Sequence, residues 1–139
     1  SGTSDSRKDW FAVGDYKKLP NEVGGMDTAL PEEVAGKMKA LLTEYNAKEE
    51  KTFEDILDFH VKFERIHPFQ DGNGRVGRLI MFKEYLKYNI VPFIIEDNFK
   101  MFYYRGLKEW NNEKGYLMDA CLTAQDKYKA YLDYFRIPY

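Results

Sequence analysis

From Pro31 to the end of the chain, apolar residues recur every three or four positions, broken at only a few points. That period is the signature of helices with one buried face, because strand residues alternate sides with a period of two. Pro31 suits a first helical position, and Glu32 and Glu33 follow at the positive helix end. Val34, Met38, Leu41, Leu42 and Tyr45 then form an apolar stripe. A second helix is predicted to open at Thr52, an N-cap with Glu54 and Asp55 close behind. Its buried face is Phe53, Ile56, Leu57, His60, Phe63 and Ile66, and Pro68 ends it by pushing His67 out of the helical region. A third helix is predicted from about Gly74 to Asn89, carrying Val76, Leu79, Ile80, Phe82 and Leu86. Two more follow over about 98–112 and 117–135. The expected fold is mainly α, a helical bundle with a small β-hairpin at its front.

The first thirty residues have a different texture. Gly14, Pro20, Gly24, Gly25 and Pro31 punctuate short segments, which predicts an extended arm or loose hairpin over 11–30. Residues 1–10 are small and polar, and are expected to be disordered or extraneous to the natural domain. The chain of 139 residues is read as a single domain, 1–139. Eleven Tyr and ten Phe supply the apolar surface a packed core needs.

A net charge of −2 gives no global basic field for nucleic acid. The longest apolar run, Asn89 to Ile95, is far short of a membrane span. The N-terminus lacks the apolar segment of a secretory signal. The only cysteine, Cys121, excludes an intramolecular disulfide and a cysteine-rich zinc site, and is read as a buried, inert thiol. These features predict a cytoplasmic protein with neither a nucleic-acid partner nor a membrane. The run Lys48-Glu49-Glu50-Lys51 is expected to be a solvated loop between helices. His60 has no second ligand at metal spacing and is read as an ordinary core or surface histidine.

The chemistry concentrates in His67-Pro68-Phe69-Gln70-Asp71-Gly72-Asn73-Gly74-Arg75-Val76-Gly77-Arg78. A helix ends at a histidine, a turn carries one carboxylate, and Gly-Asn-Gly opens the next helix. The first turn of a helix presents unpaired N–H groups and a positive dipole end to anions. Gly72 and Gly74 let a ligand approach the backbone closely, and Asn73 adds an amide. Arg75 and Arg78 lie on one face of that turn, where cations oppose the macrodipole by about 0.3–1 kcal/mol each. A bound polyanion reverses that sign, and guanidinium groups match phosphate oxygens in shape. Asp71 among these cations suits Mg²⁺ bridging phosphates, and His67 suits a general base near neutrality.

This segment resembles, at every defined position, the signature of the Fic family, His-Pro-Phe-x-(Asp/Glu)-Gly-Asn-Gly-Arg-x-x-Arg. The resemblance extends more loosely over about Phe11 to Phe135, and implies a Fic-type helical bundle with a β-hairpin flap before the active-site helices. It implies a protein adenylyltransferase that moves AMP from ATP onto a Ser, Thr or Tyr hydroxyl of a target protein and releases pyrophosphate. By position, His67 resembles the base and Asp71 the Mg²⁺ ligand. Gly72, Asn73 and Gly74 resemble the anion hole, with Asn73 orienting the α-phosphate. Arg75 resembles the contact to the β-phosphate region and Arg78 the contact to the γ-phosphate. Family variants with lysine where Gly74 stands act as kinases, so Gly74 favours the AMP-transferring orientation.

The family's flap, which aligns target backbone by strand addition, corresponds to about Val13–Thr28. Many members carry Gly-x-Tyr-Arg there, whereas this chain departs with Gly14-Asp15-Tyr16-Lys17. Tyr103 and Tyr104 stand where relatives place aromatic residues against adenine, although their spacing alone reads as packing. Members are commonly restrained by a helix bearing Ser or Thr, three residues, Glu, then Gly or Asn. No Ser or Thr in this chain is followed by that pattern. The chain is therefore expected to be truncated at its N-terminus, with any inhibitory helix coming from upstream sequence or an antitoxin-like partner. Two alternatives accompany the transferase reading. One is removal of AMP, or use of another nucleotide; the other is a nucleotide-binding module with negligible turnover.

Overall fold

The computed structural model describes residues 15–23 and 25–139. The expected disorder of residues 1–10 and the start of the flap fall outside them. Five α-helices are found among the described residues: α1 (Val34–Asn46), α2 (Phe53–Ile66), α3 (Asn73–Lys87), α4 (Lys100–Glu109) and α5 (Gly115–Tyr134). Ahead of them lies a two-stranded antiparallel sheet, β1 (Glu22–Val23) and β2 (Met26–Asp27), with Glu22 opposite Asp27 and Val23 opposite Met26. The fold is thus mainly helical with a small hairpin, as the sequence indicated. None of the described helices is long and apolar enough to cross a membrane.

Local chemistry accounts for the helix ends. Pro31–Glu33 forms a 3₁₀ turn that leads directly into α1. At α2, Asp55 N–H donates to Thr52 Oγ1 (3.1 Å) while Thr52 N–H donates to the Asp55 carboxylate (2.9 Å), a reciprocal cap. α3 stops where Asn89 turns left-handed (φ 59°) and Ile90 N–H reaches back to Tyr85 O, 2.9 Å.

The larger core lies among α2, α3, α4 and α5, where Ile56, Leu57, Tyr85, Tyr103, Leu107 and Leu117 are buried. A smaller cluster joins α1 to the other side of α2 through Val34, Met38, Phe59 and Phe63. Burying each large side chain contributes about 1.5–3 kcal/mol. Arg65 of α2 donates to Leu107 O (3.1 Å), and Trp110 Nε1–H donates to Asp58 (3.0 Å), which fixes α4 across α2.

Three expectations are corrected. The inward line of α3 is Gly77, Met81 and Tyr85, whereas Leu79 is 69% and Leu86 55% exposed. Apolar residues occur around this helix on several sides, so periodicity alone could not choose the buried one. Leu42 of α1 is likewise exposed. In the charge run, Lys51 is buried, its ammonium 4.4 Å from the centre of the Tyr45 ring, because an aromatic face can partner a cation. Cys121 is fully buried, and burial pushes its thiol up, which fits an inert role.

Candidate active site

The loop between α2 and α3 is shaped by two left-handed residues. His67 closes α2 at φ 50°, ψ 62°, with its N–H on Phe63 O at 2.9 Å. Pro68 excludes the right-handed helical region for the residue before it, and the backbone turns instead into a region uncommon for non-glycine residues. Gly72 adopts φ 78°, where a side chain would be strained. It starts α3, whose first bond runs from Val76 N–H to Gly72 O, 3.0 Å. The N–H groups of Asn73, Gly74 and Arg75 therefore have no helical acceptor, and they form the opening to which an anion can bind.

The Asn73 side chain is 2% exposed and is already engaged. Its Oδ1 accepts from Phe69 N–H and its Nδ2 donates to Phe69 O, both at 2.7 Å. The amide braces the loop through Phe69, and the backbone N–H of Asn73 is left without a helical acceptor. Asp71 is exposed and accepts from Gly72 N–H at 2.8 Å. A carboxylate on an open turn beside an anion hole suits Mg²⁺, which takes one or two carboxylates and completes its shell from phosphate and water. Among the described residues no group of three or more His, Cys, Asp or Glu could hold a metal without such help.

His67 is half-buried, and its Nδ1 is buried without a partner, which leaves Nε2 as the reachable nitrogen. Burial and the nearby Lys17 ammonium lower its affinity for a proton, against a weaker opposing pull from the Glu64 main chain. Arg75 and Arg78 both line an open groove of about 420 Å³ with Leu79, Phe82 and Ile94. Arg78 folds back over the first turn of α3, so that a Cβ at Gly74 would stand 2.8 Å from its Nη1.

Beneath Arg78 lies a buried polar cluster. Tyr103 is 1% exposed, and its hydroxyl is 2.5 Å from His60 Nε2, while His60 Nδ1 faces Gly77 O at 3.2 Å. Both faces of the Tyr103 ring are enclosed, so its expected place against adenine is corrected. Tyr104, next to it and 40% exposed, keeps a ring that a base could reach. His60 is a core histidine, kept neutral by burial with a pKa lowered to about 4. Glu64 is 2% exposed, its Oε1 has no partner, and burial pushes its carboxyl up to about 7 against the attraction of Arg78. Gly77 makes room for it, since a Cβ there would lie 2.3 Å from Glu64 Oε1.

The structure brings His67, Asp71, Gly72, Asn73, Gly74, Arg75 and Arg78 onto one loop and the first helical turns after it. Two residues beside the site were not singled out from the sequence. Glu64 left a trace, a carboxylate four residues after His60 within the apolar stripe of α2. Lys17 stood inside the departure at Gly14-Asp15-Tyr16-Lys17, but nothing local marked it as buried.

A helical bundle with a front hairpin, a left-handed histidine at one helix end and an open N-terminus at the next defines a domain of the Fic type. The model of the Fic/DOC family matches residues 2–84, and the chain belongs to that family. The protein adenylyltransferase Fic of Aedes aegypti is 30% identical over 101 residues, covering 70% of this chain and 20% of that protein. Its counterpart in Drosophila melanogaster is 31% identical over 98 residues, 68% of this chain and 20% of that one. A probable protein adenylyltransferase of Aquifex aeolicus is 51% identical over 37 residues, 24% of this chain and 12% of the relative. This chain thus spans a fifth or less of these relatives' length. The crystal structure of a Fic domain containing signaling protein from Bacteroides thetaiotaomicron superposes with a TM-score of 0.71 at 26% identity, covering 86% of this chain and 52% of that one.

Proposed function

We propose that this chain is a nucleotidyltransferase that moves AMP from ATP onto a hydroxyl group of a target protein. The observation that carries this reading is His67, held left-handed with Nδ1 buried, immediately before the open N-terminus of α3 and its two arginines. His67 Nε2 takes the proton of the incoming Ser, Thr or Tyr hydroxyl. The oxygen bonds to the α-phosphorus, the bond from that phosphorus to the α–β bridging oxygen breaks, and pyrophosphate leaves. The N–H groups of Asn73, Gly74 and Arg75 receive the charge that builds on the α-phosphate oxygens. Arg75 and Arg78 neutralise the β- and γ-phosphates, and Tyr104 offers a stacking face to adenine. Asp71 would hold Mg²⁺, which would supply charge neutralisation at the phosphates. Positioning and neutralisation are what phosphoryl-group chemistry requires of a protein.

The hairpin is the surface that would align the target's backbone, and recognition by main-chain pairing leaves the target's sequence open. A carboxylate that restrains Arg78 would come from sequence outside these residues or from a partner protein. The site's place is the cytoplasm in this reading. Labelling a native lysate with each of the four nucleotides, radioactive at the α- or the γ-phosphate, tests the proposal. α-Labelled ATP should mark protein while γ-labelled ATP does not. Label from another nucleotide alone would change the donor, loss of label from pre-modified protein would indicate AMP removal, and ATP binding with no labelled product would make the chain a binding module.

A further inference from the structure

Lys17 is the only lysine among the described residues whose buried ammonium bonds to the backbone at the end of α2, next to His67. The residue is 3% exposed, and Nζ donates to Asn21 Oδ1 (2.6 Å), Thr28 Oγ1 (2.9 Å) and Ile66 O (3.2 Å). The neighbouring bonds fix these directions. The Asn21 amide nitrogen is occupied in donating to Phe69 O (3.0 Å), so its oxygen faces Lys17. The Thr28 hydroxyl gives its proton to Asn21, so its oxygen accepts. Three acceptors for three protons is the valence of an ammonium; a neutral amine has two protons and a lone pair that would find no donor here. None of the three is a carboxylate, so the positive charge is left uncancelled by any contact. The carbonyl it holds belongs to the last residue of α2, where a cation is favoured by the helix dipole, and His67 follows at once.

The same residue fixes the arm. Lys17 N–H donates to Pro68 O at 2.8 Å, Tyr16 bridges antiparallel to Phe69, and the N–H groups of Lys18 and Leu19 both reach Gln70 Oε1 at 3.1 Å. The segment before the hairpin is therefore sewn along residues 66–70, with a buried charge at the seam.

We propose that Lys17 is a positioning residue that ties the flap to the end of α2 and sets a fixed positive charge next to His67. A fixed positive charge beside an imidazole disfavours the imidazolium, so the base stays free at lower pH than it otherwise would. Burial and the Lys17 charge from the arm act on His67 in one direction, and the main chain of Glu64 in α2 pulls the other way. Glu33, in the turn before α1, acts on Lys17, supporting its charge against the cost of burial.

As a mechanism this rests on the proposed transfer reaction, but its test does not. The chain has two histidines, and His60 is held neutral down to about pH 4, so only one imidazole should titrate near neutrality by NMR. Lys17→Met should raise the His67 midpoint by about half a unit or more, and Lys17→Arg should leave it in place. Asn21→Asp keeps the lysine but sets a carboxylate against it, and should move the midpoint in the same direction even if Lys17→Met fails to fold. In transfer assays the acidic limb of the pH profile should follow the NMR midpoint. A midpoint unmoved in Asn21→Asp, or unmoved in a folded Lys17→Met, overturns the proposal. A shifted midpoint in a chain that transfers nothing would leave Lys17 its role and remove the reaction.

Discussion

The Tyr103 hydroxyl lies 2.5 Å from His60 Nε2, while His60 Nδ1 faces Gly77 O at 3.2 Å. A carbonyl oxygen can only accept, so Nδ1 carries the His60 proton and donates it to Gly77 O. Nε2 is then the acceptor, and the Tyr103 hydroxyl gives its proton to it. These bonds link α3 through the core of α2 to α4. Tyr103→Phe removes one oxygen from this link and preserves the ring. The variant should lose about 1–3 kcal/mol in urea unfolding. A nitrogen-15 spectrum showing the His60 proton on Nε2 in the unmodified chain would contradict this direction of bonding.

Replacing His67 with Ala should abolish labelling of protein while leaving ATP affinity within about twofold, because the base acts only on the way to the transition state. Transfer near the unmodified rate would show that another group takes the proton. Calorimetric binding beside a labelling assay reads both quantities.

Arg78→Ala should weaken ATP more than ADP, since its assigned contact is the terminal phosphate. Equal losses for the two nucleotides would move that contact elsewhere. Asp71→Ala should remove activity together with any response of nucleotide affinity to Mg²⁺; a full Mg²⁺ response in the variant would place the ion on another residue.

Glu64 and His60 make opposite demands on pH. The folded carboxyl of Glu64 titrates at about 7, above its ordinary 4.5, so its contribution is present at low pH and lost as pH rises through about 7. The folded imidazole of His60 titrates at about 4, below its ordinary 6.5, so its contribution is present above 6.5 and lost as pH falls through about 4. Between pH 4.5 and 6.5 the two slopes oppose each other. Glu64→Gln removes one of them. The stability of the unmodified chain relative to this variant should fall by about 3 kcal/mol from pH 4.5 to 7, measured by urea midpoints. A constant difference over that range would mean that Glu64 is not a buried acid.

The sequence by itself determined the helices, because their signals are local. Thr52 with Asp55 writes a start, His67-Pro68 a stop, and the three-to-four-residue recurrence of Ile56, Leu57, His60 and Phe63 a buried face. It also placed the candidate site on the loop at residues 67–78, where nearly all the candidate groups are neighbours along the chain. What it could not determine depends on residues far apart. The buried side of α3 was decided by Gly77, which is small enough for Glu64 and His60 to pack against it. Tyr103 and Tyr104 carry the same side chain, and only the docking of α4 against α2 separates an enclosed hydroxyl from an exposed ring. Lys17 reads as a surface lysine until the arm folds onto residues 66–70 and surrounds its ammonium with three acceptors. Burial and the fields of distant charges are properties of the packed chain, and they set how strongly His67, Glu64 and His60 hold their protons.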